Sequence, residues 1–193
     1  LDHHRTASSQ SRTDLPCQHQ QGEIPRQHQP HHAHGLDRGH RAQNNLGYLY
    51  EYGLGIAQDY TQALQWYSRA AEGGLPDAQY NLATLYHYGR GVTQNHKAAF
   101  EWFSESAAAG FADAQYMMGE SLRAGWGTDK DGVSALSWYL KAARKAHAAA
   151  QLMASYIYLS GEGWRSEPQK AVVWAELARI NGEPQAAALL SQA

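Results

Sequence analysis

Between Pro76 and Phe111 the apolar residues fall at helical spacing twice, with a pair of glycines between the two runs. Ala78, Leu82, Leu85 and Tyr86 recur at three- and four-residue intervals, which places them on one face of a helix running roughly from Asp77 to Tyr88. Gly89 and Gly91 stop that helix, because glycine takes the left-handed conformation at little steric cost. A second helix is predicted after Asn95, whose side chain suits the free amides of a helix start, and it runs through Ala99, Trp102, Phe103 and Ser106 to about Ala109. Gly110 closes it. The segment therefore reads as a helical hairpin.

The same pattern returns with a fixed period. Trp66, Trp102, Trp138 and Trp174 are each 36 residues apart. The same step relates Ala42, Ala78, Ala114 and Ala150, then Gln43, Gln79, Gln115 and Gln151, and then the glycine pairs that follow each first helix, beginning with Gly53 and Gly55. Asp59, Asp131 and Glu167 stand where Asn95 does, with Pro168 following the last of them in a position suited to a first helical turn. The units are 40–75, 76–111, 112–147 and 148–183, with a partial fifth helix over 184–193. One hairpin leaves an apolar face bare and stacking buries it. The expected fold is thus all-α, a right-handed α-solenoid of helical hairpins. The tryptophans, fixed in phase with small alanines, read as packing residues and not as ligand-stacking ones.

Residues 1–39 differ in kind. They are dominated by His, Gln, Arg, Ser and Pro without a sustained apolar run, and are expected to be a disordered, low-complexity segment. Four imidazoles there, His28, His31, His32 and His34, could gather around a zinc, copper or nickel ion. With no carboxylate or thiol in that run and an ordering cost on binding, the polar-tail reading is preferred, and neither metal nor cofactor is expected.

The net charge of −2 gives no field that would collect nucleic acid. Cys17 is the single cysteine, so no intrachain disulfide framework can form. No apolar run reaches the roughly 20 residues that span a bilayer, so membrane insertion is not expected. As it stands the chain reads as cytoplasmic and monomeric. A leader removed ahead of Leu1 would instead make it periplasmic or secreted.

AQNNLGYLYEYGLG followed by ALQWYSRAAEGG, and DAQYNLATLYHYGRG followed by AAFEWFSESAAAG, resemble the Sel-1-like repeat, a 36-residue relative of the tetratricopeptide repeat. The resemblance covers about residues 40–193. Departures are local: Leu122 stands where the other units have Tyr50, Tyr86 and Tyr158, Ala146 stands where a glycine is expected, and Arg179 replaces the second alanine of the Ala-Ala pair. The resemblance implies a non-catalytic adaptor that brings other proteins together in signalling, in envelope assembly or in bacterial contact with host cells. Cysteine-rich members are described as binding or slowly hydrolysing penicillin-like compounds, but their repeats are stapled by cysteines that this chain lacks. A third reading is a structural spacer within a larger assembly.

A partner protein or peptide would lie in the concave groove lined by the first helix of each unit. With Leu46, Gly47 and Tyr50 as the core face, the opposite positions are Asn44, Tyr48 and Glu51, then Tyr80, Thr84 and His87, then Tyr116, Glu120 and Arg123, and then Leu152, Tyr156 and Leu159. An enzymatic site would need a nucleophile, a base and an orienting group, for which the repeats offer only His40, His87, His96 and His147 as imidazoles. His87 with Glu120 is the one pairing on the inferred groove face. The Gly-x-Gly pairs lack the Gly-Lys-Ser/Thr of a phosphate loop and read as turns.

Overall fold

The computed structural model describes residues 38–192, so the histidine-rich run and Cys17 lie outside the described residues. Eight helices form four hairpins: α1 (Arg38–Tyr52) with α2 (Tyr60–Glu72), α3 (Pro76–Tyr88) with α4 (His96–Ala108), α5 (Ala112–Ala124) with α6 (Gly132–Ala143), and α7 (Ala148–Ser160) with α8 (Pro168–Ile180). A short α9 (Ala186–Leu190) follows and packs on α8 and α7. There is no strand among the described residues. Each helix packs chiefly on the helices before and after it in sequence, the quasi-one-dimensional arrangement of a solenoid.

The starts and stops follow the side chains. Asp59 accepts from the Thr61 and Gln62 amides at 2.8 and 3.0 Å, Asn95 from Ala98 at 3.0 Å, and Asp131 from Ser134 at 3.0 Å. Glu167 holds the same position before α8 but makes no side-chain cap. Its carboxylate is drawn instead to Lys170 at 2.8 Å and to the Trp164 indole at 3.2 Å, with Arg165 beside it. Those contacts, that of Lys170 first, hold it at about 2, below the usual carboxylate range.

The two glycines of a turn have separate tasks. Gly89 ends α3 in the left-handed region at φ 68°, whereas a Cβ on Gly91 would come within 2.5 Å of the Tyr60 backbone. The second glycine thus lets the turns of the second, third and fourth hairpins lie against the start of the preceding hairpin's second helix, as Gly127 does at His96 and Gly163 at Gly132. The amide that opens each second helix also donates back to its first helix, as in Asn95 to Tyr86 at 2.9 Å and Asp131 to Leu122 at 2.9 Å. The recurring glutamines join the hairpins. Gln79, Gln115 and Gln151 donate to the carbonyls of Ala71, Ala107 and Ala143 at 3.4, 3.2 and 3.0 Å.

At the tight turn between α6 and α7, Ala146 adopts φ 61°, the non-glycine residue in that region among those described. Gly74, Gly110 and Gly182 occupy the corresponding turns at φ 82°, 93° and 92°. An L side chain there costs about 1–2 kcal/mol, partly offset by glycine's larger unfolded-state entropy. Ala146→Gly is expected to stabilise the protein by about 0.5–1 kcal/mol, read as a higher urea midpoint at constant slope.

The core is built on the residue after each tryptophan. Tyr67, Phe103 and Tyr139 are fully buried and centre three successive clusters. The tryptophans are half-buried, and Trp102 and Trp138 each pack against two neighbouring clusters. Trp102 and Trp138 seal the junctions between clusters, while Tyr67, Phe103 and Tyr139 fill the clusters themselves. Arg69 and Lys141 cover the outer faces of Trp66 and Trp138 at 4.7 and 3.6 Å from the ring centroids.

Candidate functional site

The buried rings decide what the first helices can present outward. Tyr67 lies over Gly47, where a Cβ would be 2.7 Å from the ring, and Tyr139 lies over Gly119, where it would be 2.6 Å away. In the second hairpin the corresponding pair is Phe103 and Ala83. A buried tyrosine brings a hydroxyl that needs a partner. The Tyr67 hydroxyl donates to Glu51 at 2.8 Å and the Tyr139 hydroxyl donates to Glu120 at 2.6 Å. Burial, reinforced by these carboxylates, pushes both phenols well above their ordinary range. Phe103 needs no acceptor, and Thr84 and His87 stand where the other hairpins carry these glutamates.

Three residues expected on the open groove face are therefore buried: Glu51, Glu120 and His87. The helical wheel placed them outward because it counts angles and not neighbours. The adjacent second helix wraps far enough round to reach them. Glu51 also pairs with Arg90 at 3.5 Å, and Glu120 with Arg123 at 3.0 Å, which holds the Arg123 guanidinium firmly charged. His87 sits among rings, 4.8 Å from Trp126, 4.9 Å from His96 and 4.7 Å from Tyr88 by centroid. His87 and Glu120 thus belong to different clusters, and the pairing suggested by their shared face is not made.

Burial, with His96 adding to it, lowers the His87 pKa from its ordinary value. The unfolded chain then takes up this proton more readily than the folded one. Its contribution to stability is full above the unfolded value near about 6.5, and is lost as pH falls through the folded value. The melting temperature is expected to drop between about pH 7.5 and about pH 5.5, and His87→Phe is expected to flatten that drop.

The remaining candidates divide by exposure. Asn44 is half-buried and accepts from Asn81 at 3.0 Å, tying α1 to α3. The Thr84 hydroxyl donates to the Tyr80 carbonyl at 2.9 Å. Tyr80 packs on Phe103 and Phe111 at 5.7 and 5.3 Å, and Tyr116 packs on Tyr139 and His147 at 5.8 and 4.9 Å. Burial first, then the Glu120 charge, raises the Tyr116 phenol to about 12. His147 itself caps α7, accepting from Ala150 at 3.1 Å, and lies 3.1 Å from Asp113. Leu152 and Leu159 are half-buried. Tyr48 and Tyr156 are exposed.

Helical spacing from Tyr48 also leads to two tyrosines that the wheel at positions 44, 48 and 51 passes over. Tyr52 lies one turn on and its ring packs on Tyr48 at 4.5 Å. Tyr88, its counterpart one hairpin later, lies under the Arg90 guanidinium at 5.1 Å. Tyr48, Tyr52 and Tyr88 are 47%, 53% and 57% exposed, so about half of each residue faces water while the rest is held by its neighbours. Arg90 is held by Glu51 from beneath, with the Tyr60 ring 6.0 Å away.

Stacked helical hairpins of fixed period with exposed tyrosines along their first helices define an α-solenoid repeat protein. The chain belongs to the Sel1 repeat family, whose model matches residues 40–75, 76–111, 112–147 and 148–182. Among solved structures it is similar to a Sel1 repeat protein from Oxalobacter formigenes, at 32% identity and a TM-score of 0.75 over 79% of this chain and 62% of that one. It is also similar to c5321, a protective antigen present in uropathogenic Escherichia coli strains and displaying an SLR fold, at 30% identity and a TM-score of 0.72 over 79% of this chain and 37% of that one. The chain thus spans less than two thirds of either protein. Helicobacter pylori cysteine rich protein B shares the fold at 22% identity, with a TM-score of 0.55 over 69% of this chain and 96% of that one. No curated protein matches the chain. Sel1 repeat proteins generally act as protein-interaction scaffolds. No described helix is long and apolar enough to cross a membrane.

Proposed function

We propose that this chain is a non-catalytic scaffold that holds a partner protein or peptide in the concave groove lined by α1, α3, α5 and α7. The observation that carries the reading is the set of half-exposed Tyr48, Tyr52 and Tyr88, with Tyr48 packed on Tyr52 and Arg90 over Tyr88. Such rings bring large contact area with little rotamer entropy to lose, and a polar tip that tolerates water before the partner arrives. Tyr156 extends the surface on the fourth hairpin. The reading as a scaffold and not an enzyme is supported by the use of Glu51, Glu120, His87 and His147 in packing and capping within the repeats.

Tyr80 and Tyr116 line this face from below and rest on the core rings, so truncating them would disturb folding together with binding. The informative variant is Tyr48→Ala/Tyr52→Ala/Tyr88→Ala. A protein captured from source-cell lysate by the full chain should be lost by this variant at equal helicity, with both proteins folded at the assay temperature. Equal capture by both would count against the groove.

A further inference from the structure

Helix α8 carries on its solvent face a stripe that the other three hairpins lack. Val173, Leu177 and Ile180, at i, i+4 and i+7, are 57%, 37% and 68% exposed. The corresponding positions are Gln65, Arg69 and Glu72 in the first hairpin, Glu101, Glu105 and Ala108 in the second, and Ser137, Lys141 and Arg144 in the third, all of them exposed. These positions remain in solvent even in hairpins flanked on both sides, so stacking a further hairpin beyond α9 would not cover the stripe. Three large aliphatic side chains on successive turns of one helix are costly to leave in water, and a covering surface recovers that cost.

We propose that this stripe is a self-association face, on which α8 of a second copy lies antiparallel about a two-fold axis. The charges beside it favour a second copy over a different partner. Glu176 and Arg179 line one flank of the stripe, three residues apart and of opposite sign, with Oε2 and Nε 2.9 Å apart. An antiparallel two-fold brings like flanks together. With the axis near Leu177 and Ala178, each Glu176 faces the Arg179 of the other copy, so the pair made within each chain is made again across the interface. Ile180 of each copy then falls between Val173 and Leu177 of the other, ridge into groove. The face belongs to a second helix of a hairpin, which leaves the tyrosines of the first helices free for a partner. This differs from the monomer expected from sequence, and it does not depend on the groove reading.

Sedimentation velocity of the full chain over roughly 1–100 μM should show a reversible monomer–dimer equilibrium, as suits an interface of one helix per copy. Val173→Ser/Leu177→Lys/Ile180→Arg copies the third hairpin's residues at the same positions and should abolish the dimer, with helicity unchanged. Leu177→Lys alone serves if the triple variant folds poorly. Glu176→Arg should raise the dimer dissociation constant about tenfold or more, and adding Arg179→Glu should restore it. A chain that stays monomeric over the range overturns the proposal. So does a dimer untouched by the stripe substitutions, or one indifferent to the charge exchange. A monomer whose stripe instead binds lipid vesicles or an unrelated amphipathic helix also overturns it.

Discussion

Tyr139→Ala is expected to lower the free energy of unfolding by about 3–5 kcal/mol. The ring is fully buried on Gly119 of α5, in a cluster that joins the third and fourth hairpins and also holds Leu122, Leu136 and, from α7, Ile157 and Tyr158. Truncation leaves a cavity that the short Gly119 cannot help to fill, and it takes from Glu120 the 2.6 Å hydrogen bond from the phenol. Tyr139→Phe keeps the ring and removes only that donor. Arg123 remains 3.0 Å from the carboxylate, so a cost of about 1–3 kcal/mol is expected from the hydroxyl alone. Trp138→Ala, one residue away, should cost less than Tyr139→Ala because its half-buried ring already rests partly in solvent. Urea unfolding of the three variants side by side checks the order. A Trp138→Ala loss larger than that of Tyr139→Ala would mean that the seams between hairpins, and not the hairpin cores, dominate stability.

The second large effect is expected at Gly119. By helix propensity alone, alanine would be favoured there by about 0.5–1 kcal/mol. A Cβ would sit 2.6 Å from Cδ1 and Cε1 of Tyr139, closer than carbon atoms approach, and that ring cannot slide because Glu120 holds its hydroxyl. The steric cost wins. Gly119→Ala should destabilise by about 1–2 kcal/mol and Gly119→Leu by about 3 kcal/mol. The second hairpin shows what would compensate, since it has Ala83, Thr84 and Phe103 at the corresponding positions. Gly119→Ala/Glu120→Thr/Tyr139→Phe should therefore recover most of the summed single losses, a coupling of about 1 kcal/mol or more. Strict additivity of the singles would show that ring, seat and acceptor are independent.

The same coupling is written in the repeats themselves. Glycine accompanies tyrosine in hairpins one and three, alanine accompanies phenylalanine in hairpin two, and a glutamate appears on the first helix only where a tyrosine hydroxyl must be satisfied. Read one helix at a time, Glu51 and Glu120 look like surface charges. Read against the facing helix, they are the acceptors of buried phenols.

The sequence alone determined the period, the hairpins, the caps at Asp59, Asn95 and Asp131 and the glycine turns, because each of these is a local property. A side chain caps the helix it begins, and a glycine ends the helix it follows. The identical 36-residue step of Trp66, Trp102, Trp138 and Trp174 carried the solenoid with them. What only the tertiary structure decided is depth. Trp102 and Trp138 lie half-buried where two clusters meet, and Tyr67, Phe103 and Tyr139 lie in the core. Tyr48, Tyr52 and Tyr88 face water, while Tyr80 and Tyr116, drawn from the same helical face, rest on buried rings. Burial is set by how far a neighbouring helix reaches round, and that depends on the sizes of side chains about 16 to 19 residues away, from Glu51 to Tyr67 and from Glu120 to Tyr139, which no single-helix pattern contains.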